Sequence, residues 1–217
     1  MPQQYTHILW DWNGTLFNDL WLCIDVMNSL LGKHHLPLLT TETYQRIFTF
    51  PVIDYYLALG FDFSIHSFEE LSVEFMAQYE PRKHECSLSS GAVTLLERIQ
   101  QSGIGQSILS AYPYDGLAHL VKHFHIEHFF DNLLGLSDIY ASSKVDLGIR
   151  WMRQQEHAPS DVLLIGDTIH DSEVAEAIGA DCILIGDGHN SKERLQQCGR
   201  AVVDSFQDLS RSVSFLN

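Results

Sequence analysis

A doubly wound α/β fold is predicted by three observations. Short apolar strands recur through the second part of the chain; each is followed by a stretch of helical periodicity; and no strand alternates cleanly between apolar and polar residues. Strands buried on both faces and joined through helices form a parallel sheet. With 217 residues, the chain can hold one sizeable domain or a core carrying a smaller insert.

The first strand, "HILW" at 7–10, runs directly into Asp11 in "DWNGTLFND". From about Asn18 to Glu85 the rhythm changes. "DLWLCIDVMNSLLGKHH", "TETYQRIF", "VIDYYLALG" and "SFEELSVEFMAQYE" carry helical periodicity with no convincing strand, which predicts an all-helical insert. The expected division is therefore a core of 1–17 and 86–217 with a helical unit at 18–85, hinged at "FND" and "PRKHEC". The aromatic residues Trp21, Tyr44, Phe48, Phe50, Tyr55 and Tyr56 read as the core of that small unit, with one or two near the hinges facing a cleft. Arg82, Lys83 and His84 read as a solvated hinge.

After the insert, strands are expected at "GQSILS" (105–110), "FDNLLG" (130–135), "VLLIGD" (162–167), "DCILIG" (181–186) and "RAVVD" (200–204). The intervening helices are expected at 91–101, 115–124, 144–155, 171–180 and 191–198, and the chain closes on the polar "RSVSFLN".

The hydrophobic fraction of 45% with 19% charged residues is that of a globular protein, and no apolar run is long enough for a bilayer. The opening "MPQQYTH" shows neither a basic nor an apolar export region, so a cytoplasmic location is expected. A net charge of −15 argues against nucleic acid and anionic membranes as partners. Cys23, Cys86, Cys182 and Cys198 are scattered without a paired spacing and suit reduced thiols. His123, His125 and His128 in "KHFHIEH" straddle a helix end and read as solvated surface.

Ligands of an open parallel sheet bind beyond the carboxyl ends of its strands. Three such ends carry polar residues: Asp11 after "HILW", Ser110 after "SIL", and Asp167 after "LLIG", with Asp171 one helical turn further on. Taken singly, each has an ordinary reading: a turn at Asn13-Gly14, or a helix cap at Asp171. Taken together, the three carboxylates require a cation, because like charges a few ångströms apart resist ionisation. Hard oxygen donors point to Mg²⁺, which also accepts substrate phosphate.

Four motifs in order, "DWNGT", Ser110, Lys144 and "GDTIHD", resemble those of the haloacid dehalogenase superfamily, in its phosphoglycolate-phosphatase-like branch with a helical cap of the C1 type. The resemblance spans nearly the whole chain and implies a Rossmann-like core with 18–85 as the cap. It implies Asp11 as a nucleophile that takes up a phosphoryl group, and Ser110 and Lys144 as holders of phosphate oxygens. It implies Mg²⁺ held by Asp11, Asp167 and the backbone carbonyl of Asn13, with Asp171 acting through water or as an outer acceptor. The family's usual general acid falls at position 13, where a carboxamide cannot donate and recover a proton. His170 is the candidate to supply that proton instead.

The resulting expectation is a Mg²⁺-dependent phosphatase of a small phosphorylated metabolite, acting as a monomer or homodimer. The alternatives are a catalytically weak phospho-ligand binding protein and a phosphoryl transferase or mutase.

Overall fold

The computed structural model describes residues 5–136 and 144–212; the opening residues 1–4 and the tail from 213 onward lie outside them. Strand β1 (His7–Trp10) is buried at every position, as expected for a central parallel strand. It is flanked by β4 (Gly105–Pro113) on one side and β6 (Val162–Gly166) on the other, after a two-residue ribbon of β2 (Phe17–Asn18) and β3 (Ser87–Leu88). With β5 (Asn132–Leu136), β7 (Asp181–Ile185) and β8 (Ala201–Val203), the six-stranded parallel sheet has the order β5-β4-β1-β6-β7-β8.

Alternate residues of β1 feed two cores. Ile8 and Trp10 join one face, against α5 (Ala92–Gln101), α6 (Tyr114–His123) and α10 (Phe206–Ser212). Leu9 joins the other, against α7 (Lys144–Gln154), α8 (Ile169–Ile178) and α9 (Lys192–Gln196). The fold is thus a doubly wound, Rossmann-like α/β sheet, as the strand composition predicted. Trp10 Nε1 donates to Gln106 Oε1 at 3.0 Å, so the buried indole keeps its hydrogen bond while its ring stacks on Phe206.

Between β2 and β3 lie the α-helices α1 (Leu20–Lys33), α2 (Thr41–Ile47), α3 (Val52–Ala58) and α4 (Phe68–Tyr79), followed by a short 3-10 turn at Lys83–Glu85. Helix α4 begins on a capping box in which Ser67 and Glu70 exchange hydrogen bonds, the sequence signature of a helix start. The β2–β3 ribbon ties together the two chain passages at the base of this insert, a pairing too short to betray itself by periodicity. At the other end of the insert, Gln45 Nε2 donates to Gly188 O at 2.7 Å and Asn190 Nδ2 to Phe48 O at 2.9 Å.

The hinge residues differ from expectation at one position. Arg82 is part-exposed beside Asp25 and Glu85, but Lys83 is buried, its Nζ donating to Glu80 at 2.6 Å and to the Tyr112 hydroxyl at 3.3 Å. A carboxylate and a phenol offset the cost of burying that ammonium. His123, His125 and His128 are exposed, and no helix among the described residues is long and apolar enough to cross a membrane.

Candidate active site

The sheet order satisfies the condition on which the strand-end residues depend. Trp10 pairs with Ile108 of β4 and with Ile165 of β6, so Asp11 and Asp167 follow the ends of two adjacent strands. The ladder persists to the first of them, where Asp11 N donates to Ile165 O at 2.8 Å. Ser110 differs from expectation: β4 continues to Pro113, so Ser110 lies within the strand, two residues past its last pairing with β1. Trp12 is fully buried and stacks on Phe17, anchoring the backbone just beyond.

Asp11, Asp167 and Asp171 are all buried, and each brings a carboxylate oxygen within 4.8 Å of the others. Lys144, at the start of α7, lies between two of them: its Nζ donates to Asp11 Oδ1 and to Asp171 Oδ1, each at 2.5 Å. Burial and the Asp171 charge push Asp11 well above the ordinary carboxyl range, against the pull of Lys144. Asp167 is also raised, chiefly by burial. Asp171 is held low despite its burial, because Lys144 and the Thr168 hydroxyl stabilise its anion. Three carboxylates facing one ammonium leave an excess of negative charge that a divalent cation would offset, and their hard oxygen donors fit Mg²⁺.

Asp171 has two tasks at once. Its Oδ1 fixes Lys144, while its Oδ2 accepts from Thr168 N at 2.9 Å and Thr168 Oγ1 at 2.7 Å, closing the first turn of α8. The capping role and the site role therefore coexist. Asp167 Oδ1 accepts from Thr15 Oγ1 at 2.7 Å and its Oδ2 from His189 N at 2.6 Å. Gly14 permits this closeness: at φ +75, a Cβ there would lie 2.3 Å from both Asp167 Oδ2 and the His189 ring.

Asn13 is engaged away from Asp11. Its Nδ2 donates to Asp19 Oδ2 at 2.7 Å and to the Tyr79 hydroxyl at 3.1 Å. His170 is placed by Glu173, 3.0 Å from its Nδ1, and by stacking on Phe50; among the described residues, none of its hydrogen bonds reaches Asp11 or Asn13. Ser110 is buried, and its Oγ accepts from Tyr112 N at 3.0 Å.

Two residues that the sequence did not single out complete the site. Asp19, fully buried at the start of α1, accepts from Gly14 N, Asn13, Tyr79 and the Cys23 thiol, and pairs with His189 Nε2 at 3.2 Å. His189 Nδ1 lies 2.9 Å from the Tyr44 hydroxyl. Burial disfavours charge on both, but their hydrogen-bonded pairing wins: Asp19 is lowered, and His189 is pushed up to about 9. Cys23 lies near both; burial drives its thiol upward, and it donates to Asp19.

Above this cluster a cavity of about 170 Å³ extends from Asp11, Asn13, Ser110 and Lys144 into the helical insert. Its far wall is aromatic and apolar, with Phe48, Tyr55, Phe68, Phe75 and Met76 among the residues lining it. The insert aromatics expected to form a small core thus also face the cleft, except Trp21, which is 41% exposed under Arg82.

A doubly wound sheet with a buried acid after its first strand, a buried hydroxyl on the neighbouring strand and a lysine joining two acids is the arrangement of a haloacid dehalogenase-type protein. The chain belongs to the haloacid dehalogenase-like hydrolase family, whose model matches residues 8–185. It is 25% identical over 198 residues to the tyrosine-protein kinase PtkA of Mycobacterium tuberculosis (strain ATCC 25618 / H37Rv), covering 90% of this chain and 67% of that protein. It is 24% identical over 211 residues to phosphoglycolate phosphatase of Pseudomonas syringae pv. syringae (strain B728a), covering 93% and 77%. In fold it is similar to a predicted phosphatase from Clostridium acetobutylicum, with TM-score 0.82 and 19% identity across 97% of this chain and 98% of the other.

Proposed function

We propose that the protein is a Mg²⁺-dependent phosphatase of small phosphate monoesters, with Asp11 as the nucleophile. The observation that carries this reading is the position of Asp11: Lys144 holds its Oδ1, its Oδ2 accepts no hydrogen bond among the described residues, and the residue lines the cavity. An oxygen so placed is free to attack phosphorus, forming an aspartyl-phosphate as the P–O bond to the alcohol breaks. Water then attacks the same phosphorus and returns Asp11 as a carboxylate. Lys144 and Ser110 hold phosphate oxygens through both steps and counter their charge.

Asp11, Asp167 and the backbone carbonyl of Asn13 would hold the metal, with Asp171 behind them. Bound there, Mg²⁺ would neutralise the carboxylate cluster and polarise the phosphoryl group. The helical insert acts as a cap that covers the reacting phosphate and shields it from bulk solvent, leaving room for the one water that attacks in the second step. Phosphoglycolate phosphatase among the relatives supports phosphate ester chemistry; the relative named a tyrosine-protein kinase leaves open a phosphoryl acceptor other than water. Release of inorganic phosphate from phenyl phosphate, with Mg²⁺ and with chelator, tests the reading. Metal-dependent turnover supports it, and metal binding without turnover supports a phospho-ligand binding protein.

A further inference from the structure

We infer that the preferred substrate is the phosphate monoester of an uncharged aromatic alcohol, most readily a phenol, and not of a carboxylated one. This deepens the phosphatase reading and rests on it. Two independent observations point the same way.

The first is the charge balance of the cavity. Among the described residues that line it, the basic side chains are Lys144 and His189. Lys144 is committed to Asp11 and Asp171, and will be further engaged by the phosphoryl group; His189 is committed to Asp19. The insert contributes no arginine or lysine to the wall; it contributes Tyr44, Phe48, Phe50, Val52, Phe75 and Met76. A second anion on the substrate, such as a carboxylate beyond the phosphate, would lose its hydration and meet no counter-charge there, which disfavours it strongly. An aromatic ring would bury its surface against side chains able to stack with it.

The second is the supply of protons. The amide of Asn13 donates to Asp19 and Tyr79, and His170 pairs with Glu173 and stacks on Phe50; among the described residues neither hydrogen-bonds Asp11, Ser110 or Lys144. A phenolate departs with little need of protonation, whereas an alkoxide needs it. In the first step the P–O bond to the phenol breaks, its electron pair leaves with the phenolate oxygen, and the phosphoryl group passes to Asp11. The phenolate takes its proton from water after departure.

The test compares esters in which recognition and leaving ability oppose each other. The Mg²⁺-loaded wild-type protein is assayed on phenyl phosphate, 4-ethylphenyl phosphate and 4-carboxyphenyl phosphate, with phosphoglycolate as an aliphatic reference. The carboxylated phenol is the better leaving group, so chemistry alone would favour it. The expected result is a kcat/KM at least tenfold higher for the two uncharged aryl esters than for 4-carboxyphenyl phosphate or phosphoglycolate. An equal or higher value for either carboxylated ester overturns the inference. If no ester turns over, the phosphatase reading fails separately, and calorimetric binding of phenylphosphonate and 4-carboxyphenylphosphonate decides the preference. Tenfold tighter binding of the uncharged phosphonate upholds it; equal affinity overturns it.

Discussion

The carboxamide of Asn13 donates to the carboxylate of Asp19 across 2.7 Å, in a pocket where Asp19 is fully buried and held below the ordinary carboxyl range. The sequence alone suggests that Asn13→Asp would restore a family acid and raise turnover on poor leaving groups. The geometry adds a cost, because the new carboxyl would face an existing carboxylate. Asn13→Asp is predicted to destabilise the protein by about 2 kcal/mol at neutral pH. A carboxyl facing Asp19 would have a raised folded pKa, so the penalty is full above that value, fades as pH falls toward the unfolded value, and is absent below it. Urea denaturation at several pH values measures this, and adding Asp19→Asn should remove most of the penalty.

Lys144 is the hub of the carboxylate cluster. Lys144→Met leaves Asp11 and Asp171 buried without their shared cation, and should cost about 3–5 kcal/mol in chelator. Saturating Mg²⁺ should return part of this by mass action, since it binds only the folded cluster. Denaturant midpoints with and without Mg²⁺ report both effects. A variant as stable as wild type in chelator would show that the two acids are protonated together and need no cation.

His7 sets an acid limit far from the site. It is buried in β1, with Nε2 3.0 Å from Ser107 Oγ, and burial lowers its pKa to about 4. Between that value and the ordinary 6.5, the unfolded chain binds the proton and the folded one does not, so stability rises with pH across the window. The contribution lost on acidification from 6.5 to 4 is on the order of 3 kcal/mol. Replacing His7 with Gln should flatten the dependence there, as read from melting temperature against pH.

The strands were legible because a buried parallel strand must be apolar along its length, and "HILW" and "VLLIG" have no other use for such runs. The strand-end acids were legible because a carboxylate directly after such a run is out of place unless it has work to do. Their convergence was not, since it depends on β4 and β6 both flanking β1. Asp19 and His189 escaped for a related reason. They meet across 170 positions, and each sits where a plainer reading suffices: Asp19 just before a helix, His189 inside "GDGHN", which reads as a turn. Asp19 in fact offers no side-chain cap to α1, and its carboxylate is spent on Asn13, Gly14, Tyr79 and His189. The direction of the insert aromatics was likewise undecided by helical period alone, because one stripe serves both the insert's packing and the cavity wall.

The proposed metal is checked without turnover. Mg²⁺ should raise the melting temperature of the wild-type protein, and the rise should shrink sharply in Asp167→Asn, which loses charge from the cluster. An equal rise in both proteins would place the cation elsewhere.

The central claim is that Asp11 carries the phosphoryl group. The most direct measurement is an acid quench of wild-type protein during turnover of phenyl phosphate with Mg²⁺, followed by mass analysis of the proteolytic peptide containing Asp11. The predicted result is a phosphoryl adduct on that peptide, lost on treatment with hydroxylamine. It should be absent from Asp11→Asn, whose phosphate release falls by roughly 10³ or more. Wild-type turnover in Asp11→Asn, or an adduct confined to another peptide, would contradict it.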